Sequence, residues 1–179
     1  MSSPTYLAAR GSFEEFRTAF DGDGGDVTEL LMDALTNRDG DARADIAGFL
    51  LDRGADASVV AYGQNALSVL IGAHEWVGPR DGGLFARLVD AGADVNYRER
   101  RGKLVIHLVA KARVEDESMR APMWAALFGQ PRLDLSKPVN ARRGDGPTML
   151  EWSEKFAARR PERHAVLEGY LAAYAEGRG

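Results

Sequence analysis

Apolar residues along this chain recur in short groups at helical spacing, separated by polar stretches that carry glycine. In Asp45-Ile46-Ala47-Gly48-Phe49-Leu50-Leu51 the positions Ile46, Phe49 and Leu50 share one face at i, i+3 and i+4, and Leu84, Phe85, Leu88 and Val89 do the same. Val166, Leu167, Tyr170, Leu171 and Tyr174 line one side of a last segment. The pattern predicts an all-α fold: an N-terminal helix from Thr5 to Phe20, then four helical pairs. These are Thr28–Asn37 with Arg43–Asp52, Asn65–Ala73 with Gly82–Ala91, Leu104–Arg113 with Ser118–Gly129, and Thr148–Arg159 with Pro161–Glu176. No pair this short can bury its apolar face alone, so the pairs are expected to stack into one continuous core.

The spacing of the pairs is itself regular. Gly54-Ala55-Asp56-Ala57-Ser58 follows Phe49-Leu50-Leu51-Asp52-Arg53, and Gly92-Ala93-Asp94-Val95-Asn96 follows Arg87-Leu88-Val89-Asp90-Ala91, 38 residues later. A third block, Ser136-Lys137-Pro138-Val139-Asn140, keeps the Val-Asn end alone. Helical starts at Thr28, Asn65, Leu104 and Thr148 are spaced by 37, 39 and 44 residues. Gly54 and Gly92 stand where a helix must end in a left-handed residue, which glycine adopts without penalty. An aspartate two positions on can bond nearby backbone and tighten the turn.

On these residues the chain resembles the ankyrin-repeat family, best over Leu88 to Asn96 with Gly102, Ile106, His107 and Ala110, and again over Val139-Asn140-Ala141, Gly146, Thr148 and Leu150. The resemblance covers about residues 26 to 176. It departs from the family pattern in lacking an intact Thr-Pro pair, in repeats longer than the ~33-residue consensus, and in the lost third Gly-Ala-Asp. It implies a single-domain solenoid of helix-turn-helix units with short hairpin fingers: residues 1–25 as a capping helix and acidic turn, 26–60, 61–98 and 99–142 as repeats, and 143–179 as a last repeat and cap. It also implies that His107 bonds turn backbone and orders neighbouring hairpins. Partner-binding positions carried over from the family are Tyr62 and Gln64; Tyr97, Arg98, Arg100, Arg101, Lys103 and Lys111; and Arg142, Arg143, Asp145 and Lys155.

Composition narrows the chemistry. With 45% hydrophobic and 28% charged residues the chain is ordinary globular material, and its net charge of −4 does not by itself imply a nucleic-acid or membrane partner. The absence of cysteine excludes disulfides, thiolate metal sites and a cysteine nucleophile. Met1 to Phe20 holds no apolar stretch of signal-peptide length, which points to the cytoplasm. Asp21-Gly22-Asp23-Gly24-Gly25-Asp26 begins like a calcium loop, but Gly25, Asp26 and Met32 stand where a ligand, a glycine and a glutamate are needed. His74, His107 and His164 have no metal-ligand spacing, no nucleophile motif or phosphate loop occurs, and Arg143-Gly144-Asp145 reads as a coincidental tripeptide. No catalytic residue, metal ligand or cofactor is therefore expected, and the chain is not expected to be an enzyme.

Charge placement carries the functional expectation. Tyr97 to Lys103 sets four bases against Glu99, and Lys137 to Pro147 sets Lys137, Arg142 and Arg143 against Asp145. Glu75, Asp81, Glu115, Asp116 and Glu117 fall in the opposite turns. The expectation is a monomeric protein-binding module whose basic fingers dock an acidic partner, with Trp76 as a secondary anchor on the other edge. Alanine, arginine, glycine and aspartate usage points to a GC-rich bacterial genome, where small ankyrin proteins often inhibit or confer immunity to toxins. The alternative is nucleic-acid binding by the same strip, against which stands the lack of aromatic residues beyond Tyr62 and Tyr97.

Overall fold

A computed structural model describes residues 2–140 and 146–177. The described chain is mostly helical, with ten α-helices and one two-stranded hairpin. Each helix is short and closed by local chemistry. Asp26 caps α3 (Val27–Ala34) by accepting the Thr28 and Glu29 N–H groups, and Asp39 caps α4 (Gly40–Asp52). Asn65 and Ser68 form a capping box on α5 (Ala66–Gly72), which is followed by α6 (Asp81–Asp90) and α7 (Val105–Lys111). A 3-10 turn, Glu117–Arg120, leads into α8 (Ala121–Phe128). Thr148 and Glu151 box the start of α9 (Met149–Ala157), and α10 (Pro161–Glu176) ends the described chain.

The N-terminal segment is two helices rather than one. The first, α1, spans Pro4–Arg10, and α2 spans Phe13–Asp23. The break falls at Gly11-Ser12, where the Ser12 hydroxyl accepts the Glu15 N–H and the Glu15 carboxylate accepts the Ser12 N–H at 2.9 Å. Asp26, which the calcium-loop comparison singled out, uses its carboxylate as the α3 cap.

Helices α1, α3, α5, α7 and α9 form one row, each touching the next, and α2, α4, α6, α8 and α10 form a second. Between the rows lie the fully buried side chains, among them Phe16, Leu31, Ile46, Leu50, Leu67, Phe85, Leu88, Ile106, Met123 and Leu127. Each contributes roughly 1.5–3 kcal/mol of apolar burial. Side-chain bonds recur one unit apart: Arg43 to Asp81 and Asn96 to Asp134 across 38 residues, Leu135 to Tyr174 across 39.

The glycine helix ends take the expected form. Gly54 (φ 85°) and Gly92 (φ 102°) are left-handed, and the Ala55 and Ala93 N–H groups reach back to the Leu50 and Leu88 carbonyls. The third unit differs from the sequence reading. Leu133-Asp134-Leu135-Ser136 fills the place of Ala55-Asp56-Ala57-Ser58: both leucines are buried, and Asp134 accepts the Ser136 N–H at 3.0 Å just as Asp56 accepts that of Ser58 at 2.8 Å. The helix before it ends without a left-handed residue, since Gly129 has φ −71°. The Gly-Ala-Asp spelling disappears while the buried–polar–buried turn persists. No helix among the described residues is long and apolar enough to cross a membrane.

Candidate functional site

Three hairpin turns lie along one edge of the stack. In the first, β1 (Val60–Ala61) pairs antiparallel with β2 (Gln64–Asn65). Tyr62 (φ 52°) and Gly63 (φ 70°) supply the two left-handed residues that such a tight hairpin requires. The conformation is uncommon for tyrosine, and the ring stands 93% exposed at the tip. Single antiparallel bridges, Arg98 with Leu104 and Pro138 with Thr148, mark the second and third turns.

Glu99 organises the second turn. Its buried carboxylate accepts the backbone N–H groups of Arg101 (2.9 Å) and Lys103 (3.0 Å), and its own N–H donates to the Lys103 carbonyl at 2.9 Å. Gly102, at φ 87°, closes the bend. Arg98 folds back on the backbone, donating to the carbonyls of Gly102 (2.5 Å), Val139 (3.1 Å) and Pro138 (2.6 Å). Its guanidinium is a tie between the second and third turns rather than a free charge. The Arg100 N–H donates to the Gly63 carbonyl at 2.9 Å and ties the second turn to the first.

This leaves Arg100, Arg101 and Lys103 with exposed side chains, placed between two cavities. One, of about 430 Å³, is lined by these three with Arg98, Glu99, His107 and Asn140. The other, of about 210 Å³, adds Gln64 and Ser68. Tyr97 is half-buried and packs on the core. Lys155 is exposed on α9 and lines neither cavity. Arg142, Arg143 and Asp145 lie outside the described residues.

His107 departs from its implied role. Its Nε2 is buried and accepts or donates no hydrogen bond, and the ring lies on Trp152 with centroids 4.3 Å apart. Burial, then the charges of Lys111, Lys103 and Arg98, push its pKa down to about 4, so the ring is neutral at physiological pH. His74 faces the Leu35 carbonyl at 2.8 Å, and His164 lies against Phe156 at 4.7 Å. None of the three is hydrogen-bonded to a serine or threonine hydroxyl.

The opposite edge, built from the turns between paired helices, keeps Glu75, Glu115 and Asp116 exposed as sequence order suggests, but takes Asp81 fully and Glu117 partly inward. Asp81 is buried and takes a two-pronged bond from Arg43, Nε to Oδ1 at 2.8 Å and Nη2 to Oδ2 at 2.7 Å. Glu117 sits between Arg120 and Arg163; burial would raise its pKa, but the bonds from these arginines hold it below the usual value. Glu75 pairs with Arg113. Asp116 accepts the Ser118 N–H at 2.8 Å. Trp76 and Lys111 line a cavity on this edge, so Lys111 is separated from the fingers with which the sequence grouped it. The missed signal is register: Arg43/Asp81 and Glu75/Arg113 each stand one repeat, 38 residues, apart.

No family model matches this chain, and no curated protein matches it. It is similar in fold to the crystal structure of a functionally unknown protein from Leptotrichia buccalis C-1013-b, at 23% identity over 97% of this chain and 94% of that one, with a TM-score of 0.69.

Proposed function

We propose that this chain is an ankyrin-type repeat protein that holds another protein through its hairpin edge, Arg100, Arg101 and Lys103 meeting an acidic surface. The ankyrin assignment is supported by the two rows of short helices, the left-handed glycine ends at Gly54 and Gly92, and turns tied across units by Arg98 and Arg100. The observation that carries the functional reading is the locked second turn. Glu99 and Arg98 are taken up in holding the loop, so the backbone that presents the three outward cations is already ordered before binding. Exposed Tyr62 on the neighbouring tip adds an aromatic contact of the kind enriched in interfaces. Neutralisation of a toxin by such a module, as an inhibitor or immunity factor in the cytoplasm, is the specific form proposed.

Affinity capture from a lysate of the source cell tests this, using the tagged chain and its Arg100→Glu/Arg101→Glu/Lys103→Glu variant. Mass spectrometry should find an acidic protein retained in stoichiometric amount by the parent and lost from the variant. Calorimetry with that protein should give a loss of at least ~3 kcal/mol, as expected when charged contacts become repulsive. Equal capture by both proteins would remove the finger edge from the interface.

A further inference from the structure

The turn edge carries a second concentration of positive charge that the finger reading does not use. A cavity of about 620 Å³ opens between the third and fourth units. The end of α7 and the turn after it supply Lys111 and Arg113, the α9–α10 turn supplies Arg159 and Arg160, and the first turn of α10 supplies Arg163 and His164. Arg120 is fixed on another side by the Val109 and Ala112 carbonyls. Two nearby acids are engaged, Glu117 by Arg120 and Arg163 and Glu75 by Arg113, while Glu115, Asp116 and Glu162 are exposed and do not line the cavity. Among the described residues no carboxylate lies within salt-bridge distance of Lys111, Arg159 or Arg160.

Two further features face the same space. His164 is buried and lines the cavity, yet its nearest carboxylate oxygen, on Glu117, is 3.9 Å from Nδ1, beyond hydrogen-bonding distance. Trp76 lines the opening at 54% exposure, held by the bond from the Val77 N–H to the Arg113 carbonyl at 2.9 Å, and Phe156 adds a second ring.

We infer that this cavity is a second docking site, for an acidic segment of a partner protein that carries an apolar side chain beside its carboxylates. Arginines presented from separate turns suit carboxylates, which they can grip with paired bonds, and an exposed tryptophan is the usual apolar anchor of such a contact. The cluster is compact. Exposed Glu75, Glu115, Asp116 and Glu162 flank its lining residues in sequence and interrupt the charged track that a nucleic-acid backbone would need. The inference stands apart from the finger reading, since the two edges are separated by the length of α7, about 10 Å at 1.5 Å per residue.

The test uses the full chain and a fluorescein-labelled peptide of glutamates around a central phenylalanine, read by fluorescence anisotropy. The arms are a glutamine-for-glutamate control peptide and a labelled single-stranded oligonucleotide. The acidic peptide should bind in a salt-sensitive way, and the control peptide and oligonucleotide should bind at least about tenfold more weakly. Arg159→Glu/Arg160→Glu changes two exposed side chains without ion-pair partners and should weaken peptide binding about tenfold or more. Trp76→Ala, whose helix content is checked by circular dichroism, should weaken it by a smaller factor. Arg100→Glu/Arg101→Glu should leave it unchanged. Oligonucleotide binding that exceeds peptide binding and vanishes in the Arg159/Arg160 variant would reassign the cavity to nucleic acid. Peptide binding that is absent, or is lost from the finger variant alone, would overturn the site while leaving the finger proposal intact.

Discussion

The two edges of the stack dispose of their charges differently. On the turn edge acids and bases from successive units pair with one another: Arg43 with Asp81, Arg113 with Glu75, and Arg163 with Glu117, which also binds Arg120 of its own turn. On the hairpin edge charges are used on backbone. Glu99 accepts N–H groups of its own turn, and Arg98 donates to three carbonyls. The first arrangement joins units through side chains; the second fixes the shape of a loop. Among the described residues each leaves a remainder of unpaired cations, Lys111, Arg159 and Arg160 on one edge and Arg100, Arg101 and Lys103 on the other. Those remainders, rather than the counts of acids and bases along the sequence, are what a partner meets.

If the turn edge joins units through buried pairs, breaking one there should have the largest effect in the molecule. Arg43 and Asp81 are both almost fully buried, and Arg43 also donates to the Asn37 carbonyl at 2.5 Å. Asn37 in turn donates to the Ala8 and Gly11 carbonyls, both at 3.0 Å, so the network spans three units. Arg43→Met leaves the Asp81 carboxylate buried with the Gly78 N–H as its other partner. The expected cost is about 3–5 kcal/mol by urea denaturation, because one charge of a buried pair is left uncompensated. A loss below ~1 kcal/mol, the range of exposed pairs, would mean that water reaches Asp81 and that the network does not hold these units.

The hairpin edge should respond instead to pH, through His107. Its pKa is depressed to about 4, by burial first and then by Lys111, Lys103 and Arg98. The folded chain thus binds fewer protons at this site than the unfolded chain between about pH 6.5 and 4. Stability is full above that window, falls as pH drops through it, and levels off below it. After allowance for solvent around the half-open finger cavity, the loss is on the order of 2 kcal/mol. His74 and His164 are depressed too, by burial above all, and shift in the same direction. Urea melts of the parent and His107→Gln at pH 7 and pH 4.5 isolate one site, since the other histidines are common to both. Parallel losses in the two proteins would show that His107 is protonated without penalty.

Much of the fold was legible because burial leaves a periodic trace. Ile46, Leu50, Leu84, Phe85, Leu88 and Val89 are all buried, and the glycines at 54 and 92 end helices as read. The Gly11-Ser12 break was legible in principle, since Ser12-x-x-Glu15 is a capping-box spelling. The third turn escaped because the search keyed on glycine, while the physics preserved two buried leucines around an aspartate. The finger cations were legible as a group but not one by one. Nothing local distinguishes Arg98, which turns inward to carbonyls, from Arg100, which does not. Asp81 reads as a loop acid until it is set beside the residue one repeat earlier.

The smallest expected effect separates those arginines. Arg100→Glu/Arg101→Glu should change the unfolding free energy by no more than about 0.5 kcal/mol, the usual range for exposed positions away from caps and buried networks. The ties that hold the turn do not run through these side chains. The Arg100 bond to Gly63 and the Arg101 bond to Glu99 are made by backbone N–H groups, which the substitutions keep. The new carboxylates face Lys103 as an attraction and Glu99 as a repulsion, so the field terms oppose each other at an exposed site where each is small. Arg98 is left untouched, because its loss would release three carbonyls and confound folding with binding. Urea midpoint and slope should both match the parent. A drop of several kcal/mol would mean that Arg100 and Arg101 are structural, and the outward cations of the second turn would reduce to Lys103.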